Sequence, residues 1–275
     1  MSIKTEDIEI QLLLEAIYLK YNYDFRKYAR ASIKRRLTRA KESLRCSSFS
    51  MLQDRILHDP AVFPPLLSYL TVQVSEMFRD PEYFKAIREQ VIPYLKTFPS
   101  LKVWVAGCSH GEEVYSLAIL FREEGLEKRT LYYGTDINYQ ALEIAEKGIY
   151  PLDQIALFTE NHRRSGGKSS LSDYYTAGYG SAVFDKSLRE RIVFSNHSLV
   201  SDAVFAEVHL ISCRNVLIYF DRDVQDRAVG LFEEALAYRG FLGLGSKETL
   251  RHSKYVNSLE DFVKEEKIYR KRDVA

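Results

Sequence analysis

At 275 residues the chain has room for one large or two modest domains, and with 46% hydrophobic residues it can bury a proper core. A net charge of +1 excludes a global affinity for polyanions, no apolar run is long enough to span a bilayer, and three cysteines scattered without CxxC spacing indicate neither a disulfide framework nor a zinc site. The opening MSIKTEDIEIQ carries charges where a signal peptide needs an apolar core, so a soluble, cytoplasmic protein is expected.

Residues 5–95 read as all helix, which places a helical N-terminal domain and linker over 1–95 and an α/β domain over 96–275. Ile8, Leu12, Leu13 and Ile17 share one helical face. The stretch YNYDFRKYARASIKRRLTRAKESLR follows, with Tyr28, Ile33, Leu37 and Leu44 available to the interior. Arg26, Lys27, Arg30, Lys34, Arg35, Arg36, Arg39, Lys41 and Arg45 are assigned to its outside. The run holds few acids to pair with, and the rest of the chain is net acidic because the total is only +1. Such a face is either solvated or meets an acidic partner; lacking interleaved aromatics for base stacking, it favours an acidic protein over nucleic acid. Ser48 or Ser50 is expected to cap a further short helix. Asp80-Pro81 reads as a helix start, with an acceptor at the cap and proline at the first position. Just before it, Gln73, Ser75 and Arg79 are polar groups in an apolar linker. Either Arg79 pairs with a surface acid or this segment forms one wall of a cleft.

Residues 103–136 organise the rest. The apolar run VWVA has the length of a buried strand, Gly107 and Gly111 make a turn, and Val114, Leu117, Ala118 and Phe121 then recur at helical spacing. A second apolar run ends at Thr135-Asp136. Strand, glycine turn, helix and acid-tipped strand form the first half of a nucleotide-binding βαβ unit, whose carboxylate can accept both ribose hydroxyls. The turn is G-C-S-H-G-E-E, not G-x-G-x-x-G, and Glu112 and Glu113 stand where a diphosphate would be repelled. A nucleoside with a cationic or zwitterionic arm fits better: S-adenosylmethionine suits the pattern and NAD suits it poorly. An ordinary crossover whose glycines only make a turn stays open on this motif alone.

After Asp136, NYQALEIAEKGIY is an expected helix with Leu142 and Ala145 inside. Over 150–190 the α/β rhythm is lost: HRRSGGKSS is loop-like, and Tyr174, Tyr175, Tyr179 and Phe184 suggest short antiparallel strands of a small inserted β-subdomain. Strands are expected at 192–194 and 208–211, a helix over 222–238, and final strands at 241–244 and 267–270 as an antiparallel pair at one sheet edge.

The segments SEMFRDPEYF, AGCSHGEEVYSLA, GTDIN and ISCRNVLIYFD, in this order and at these separations, resemble the chemotaxis receptor methyltransferases (the CheR family) over nearly the whole chain. The resemblance implies an α/β, Rossmann-like methyltransferase domain behind an all-helical N-terminal domain, with an antiparallel β-subdomain inserted. It implies a protein-glutamate O-methyltransferase that uses S-adenosyl-L-methionine, releases S-adenosyl-L-homocysteine and esterifies glutamates on the cytoplasmic helices of chemoreceptors. Carried over position by position, the cofactor-binding set is Gln73, Ser75, Arg79, Gly107, Glu113, Asp136, Ser198, Leu199, Arg214 and Asn215. Arg79 matches an arginine at the active centre and Tyr219 a tyrosine beside the transferring methyl; no metal is implied. Receptor helices rich in glutamate are the implied partner of the basic stretch 26–45, and a peptide contact at the β-subdomain is left open.

The chain also departs from the family pattern. Gln73 and Ser75 replace asparagine and threonine, His110 a threonine, Ser198 an asparagine and His209 an aspartate. His110 is expected to be exposed and inert. These changes motivate a second reading, a cofactor-binding signalling or scaffold module that has lost catalysis. A third, nucleic-acid methylation, leans on the basic helix alone. Carboxylate methylation needs no general base, since a glutamate with an ordinary pKa of about 4.3 is ionised near neutral pH.

Overall fold

The structure, a computed structural model, describes residues 4–251 and 253–272. It begins with helices α1 (Thr5–Tyr21), α2 (Arg30–Ser43), α3 (Phe49–His58) and α4 (Phe63–Leu70). Leu13, Ile17, Leu37, Leu52 and Leu66 are fully or almost fully buried in their shared core. Ser48 caps α3 as expected, its side chain accepting from the Met51 N–H at 3.0 Å. Helices α5 (Pro81–Ala86) and α6 (Ile92–Leu95), joined by a π-helical turn at Ile87–Val91, pack instead against the sheet.

The α/β unit runs β1 (Leu101–Ala106), α7 (Glu112–Glu123), β2 (Thr130–Asp136), α8 (Tyr139–Lys147), β3 (Ile149–Pro151), α9 (Leu152–Arg164), β4 (Tyr175–Gly178) and β5 (Ser181–Phe184). It continues α10 (Lys186–Arg189), β6 (Ile192–Asn196), β7 (Val208–Cys213), α11 (Arg222–Ala235), β8 (Leu236–Leu244), β9 (Leu259–Val263) and β10 (Ile268–Lys271). Seven strands form one sheet in the order β6-β2-β1-β7-β8-β10-β9, in which the first five are parallel and β10 runs antiparallel to both neighbours. Strand order reverses between β1 and β7, and there the carboxyl ends of the strands open into a crevice. α7 and α5 cover one face, and α11 covers the other around fully buried Trp104. Strands β3, β5 and β4 make the small antiparallel sheet of the insertion.

Four sequence expectations are corrected. The insertion contains a thirteen-residue helix, α9, and the H-R-R assigned to a loop is its last turn; Ile155 and Phe158 on its inner face dock it to the main core. Helix α11 stops at Ala235, because Leu236 turns to extended backbone and is buried as the first residue of β8. The sheet edge is β9, outside the expected pair, and exposed Glu260 and Asp261 interrupt its apolar pattern. Asp80 does not cap α5: its φ is 56°, no side-chain cap bond forms, and its carboxylate goes to Arg214. Among the described residues no helix is long and apolar enough to cross a membrane.

Candidate functional site

A cleft of about 970 Å³, partly open to solvent, lies over the carboxyl ends of β1, β2, β6 and β7. The helical domain roofs it with Tyr28, Arg36 and the linker after α4. The two parts are stitched by backbone bonds, from the Ala29 N–H to Tyr219 O at 2.9 Å and from the Asp221 N–H to Lys27 O at 3.0 Å. The structure places all eleven sequence-derived site residues in this cleft wall.

Asp136 ends β2 and is 8% exposed. Its Oδ2 accepts from the Ser109 N–H and its Oδ1 from the Asn138 N–H, both at 2.9 Å. Burial pushes its carboxyl above the ordinary aspartate value, while those bonds and one from Gln73 pull the other way. Gln73 also accepts from Ser109 Oγ at 2.7 Å, so the linker is tied to the turn below it. That turn begins at Gly107, φ +74°, where a Cβ would meet Val216 Cγ2 at 2.5 Å; the sequence needs glycine there on both counts. Ser75 lines the same linker.

Glu113 faces the cleft from the first turn of α7. Its Oε1 accepts from Ser212 Oγ at 2.5 Å, and its Oε2 stands 3.1 Å from Arg214 Nη1. Arg214, its side chain 1% exposed, reaches Asp80 with Nη2 at 2.6 Å and stacks 4.2 Å over the ring of Tyr83. Glu112 departs from expectation. It does not line the cleft but turns into the interior, where one carboxylate oxygen has no hydrogen-bond partner. Burial pushes its carboxyl up to about 7, with the charge of Glu113 adding to the shift.

On the β6 side Ser198 caps its own turn, its Oγ accepting from the Val200 N–H at 3.2 Å, and Leu199 beside it is 5% exposed. Beyond β7, Asn215 adopts φ +61° and Tyr219 sits half-buried in a 3-10 turn. Arg79 is half-buried, its one hydrogen bond a 3.4 Å contact to Val74 O, and no carboxylate pairs with it among the described residues. The surface-acid reading of Arg79 therefore fails. His110 and His209 lie outside the cleft wall. His110 is half-buried rather than exposed, with burial lowering its pKa. His209 accepts from the Lys102 N–H at 3.1 Å, at the opposite ends of β1 and β7.

Sequence reasoning misplaced one cleft residue. Arg36, assigned to the solvent face, is 6% exposed. It donates to Leu70 O at 2.5 Å and stacks 4.3 Å from the centroid of Tyr219, with no carboxylate partner among the described residues. A signal was present: Ile33, Leu37 and Ala40 are buried on α2, and position 36 falls on that face at the i+3 spacing. Several of the other basic residues are also less free than assigned. Arg26 pairs with Asp24 and Glu15, and Lys34 with Glu6 and Asp7. Lys27, Arg35, Arg39 and Arg45 stay exposed, and no ion pair forms at them among the described residues.

The donor set suits a nucleoside with a cationic arm. A buried carboxylate held by backbone N–H groups keeps lone pairs for a ribose diol, and a second carboxylate in the same wall meets positive charge. Residues 73–265 match the family described as CheR methyltransferase, SAM binding domain, and residues 8–71 match CheR methyltransferase, all-alpha domain. The chain is 56% identical to a Pseudomonas putida protein named "Putative methyltransferase Cher3", over 98% of both chains. It is 29% identical to a chemotaxis protein methyltransferase of Listeria innocua, over 82% of this chain and 84% of that one. Identity to chemotaxis protein methyltransferase 2 of Pseudomonas aeruginosa is 25%, over 80% and 79%.

Proposed function

The chain belongs to the CheR methyltransferase family and takes S-adenosylmethionine as its cofactor, and from that premise we propose that it esterifies glutamate side chains of chemoreceptors or related signalling proteins. One observation carries this reading. Two guanidiniums without carboxylate partners among the described residues, Arg36 and Arg79, line the same cleft as the acids Glu113 and Asp136. The acids suit a cationic nucleoside, and the arginines suit an anionic side chain entering beside it.

When bound, the cofactor supplies a methyl group activated by its sulfonium. Asp136 holds the ribose, and Gln73, Ser75, Gly107, Glu113, Ser198, Leu199, Arg214 and Asn215 complete the cofactor wall. Arg79 and Arg36 orient the substrate carboxylate without an acid of their own to compete for it. Tyr219, fixed under Arg36, shapes the pocket at the reacting atoms. No proton has to be moved, so these residues act by alignment and by excluding water. The exposed arginines and lysine of 26–45 are the docking face for an acidic helix. The outer edge of β4, unpaired among the described residues, is open to an added peptide strand.

The test is transfer of labelled methyl from S-adenosylmethionine to a cytoplasmic chemoreceptor fragment, read as base-labile methanol. Ester formation that disappears in Arg79→Ala supports the reading. Cofactor binding with no ester on any receptor fragment would leave the scaffold reading in its place.

A further inference from the structure

Glu248 sits outside the cleft, in the turn that follows β8, and is 4% exposed. No cation pairs with its carboxylate among the described residues. Backbone amides converge on it instead. Its Oε2 accepts from the Gly245 N–H at 2.6 Å and the Asn215 N–H at 3.0 Å, and its Oε1 from the Ile218 N–H at 3.3 Å. Asn215 and Ile218 belong to the segment that carries Arg214, Asn215 and Tyr219 into the cleft wall. We propose that Glu248 is a positioning residue for the cofactor cleft, holding the backbone of that wall from behind so that Asn215 and Tyr219 face the ligands.

Three features carry the inference. Asn215 is held at φ +61°, left-handed backbone that few non-glycine residues adopt, and it is in this conformation that its N–H meets the Glu248 carboxylate. Next, a Cβ at Gly245 would lie 2.8 Å from both Asn215 N and Glu248 Oε2, so a glycine is what lets the carboxylate approach this backbone. The carbonyl side of the same segment is held separately, by Gln225 Nε2 donating to Leu217 O at 3.0 Å and Phe220 O at 3.2 Å. Donors and acceptors of one short segment are thus tied from two directions. Burial pushes the Glu248 carboxyl above its ordinary value, and the converging amides pull it back toward the ionised form, to which hydrogen bonds are stronger than to a neutral acceptor.

The inference rests on Asn215 being a cofactor contact, and the experiment separates the two claims. Affinity for S-adenosylhomocysteine is measured by calorimetry on the full chain for wild type, Glu248→Gln, Glu248→Ala, Asn215→Ala and, as a core control, Leu126→Ala, fully buried before β2 and away from the cleft. Glutamine keeps one acceptor oxygen and turns an NH₂ toward the remaining N–H, so Glu248→Gln is expected to weaken binding by about tenfold and Glu248→Ala by more. Leu126→Ala should lower Tm with affinity within about twofold of wild type. If Asn215→Ala weakens binding while folded Glu248→Gln does not, the positioning role is overturned. If Asn215→Ala changes nothing, Asn215 is no cofactor contact, and it is that premise, not the hold of Glu248 on the backbone, that fails. Amide exchange on the unliganded wild type checks the same claim without a variant: Asn215 and Ile218 must be protected, and free exchange at both would also overturn it.

Discussion

The guanidinium of Arg36 lies 4.3 Å from the ring centroid of Tyr219, so a cation from the helical domain is stacked on a side chain of the catalytic domain's cleft. Burial lowers the pKa of Arg36, and no carboxylate offsets that cost among the described residues. A cleft-lining cation of this kind is a candidate to meet an anion there. Arg36→Gln is therefore expected to lower kcat/KM for a receptor fragment at least tenfold, with cofactor affinity within about twofold of wild type. Steady-state methylation kinetics beside calorimetry read both. An equal loss of both quantities would assign Arg36 to the cofactor instead.

Asp136 accepts two backbone N–H groups while lining the cleft. Asp136→Ala removes the proposed ribose acceptor and leaves both amides unpaired, and a loss of more than about fiftyfold in cofactor affinity is expected. Asp136→Asn should fare little better, because its NH₂ must face one of those N–H donors. Calorimetric titration with S-adenosylhomocysteine checks both.

Glu112 gives a pH signature. Its folded value of about 7 lies above the 4.5 of an unperturbed glutamate. Below pH 4.5 both states hold the proton and nothing is lost. As pH rises from 4.5 through 7 the unfolded chain ionises more easily than the native one, and stability falls by about 3 kcal/mol. Glu112→Gln mimics the protonated form, so its Tm should exceed wild type at pH 8, with the gain shrinking toward pH 5. Thermal unfolding at the two pH values is the measurement, and a pH-independent difference would contradict the buried-acid account.

The inserted subdomain is fastened by the opposite arrangement. Glu123, its side chain 2% exposed, meets Arg88 at 2.6 Å and His162 at 3.1 Å. It also accepts from Ser169 Oγ at 2.9 Å. Burial opposes ionisation, but these partners overcome it and hold the carboxyl down at about 2. Its contribution is complete above pH 4.5 and is lost as pH falls toward 2. Arg88→Met strands the buried charge, and a cost of about 3 kcal/mol is expected at pH 7. That corresponds to a fall in Tm on the order of 10 °C, smaller at pH 3.

By itself the sequence determined the elements whose signals are local. The apolar run of β1, the helical spacing of α7 and the acid at the end of β2 lie within about thirty-five residues, and each follows from periodicity and turn chemistry. The motifs also named residues that the structure gathers round one cleft. Only the tertiary structure decided what those residues touch. Asp80 reads locally as a helix cap, yet it pairs with Arg214, 134 positions away. Arg36 reads as one more charge in a basic run, yet it turns inward because Tyr219 and Leu70 O wait there. Glu248 has no motif at all, and its amide partners come mostly from a segment about thirty residues earlier. Periodicity records which face of an element is apolar; the partner of a buried charge is fixed by packing between distant segments, where leaving it unpaired costs more than any local preference can return.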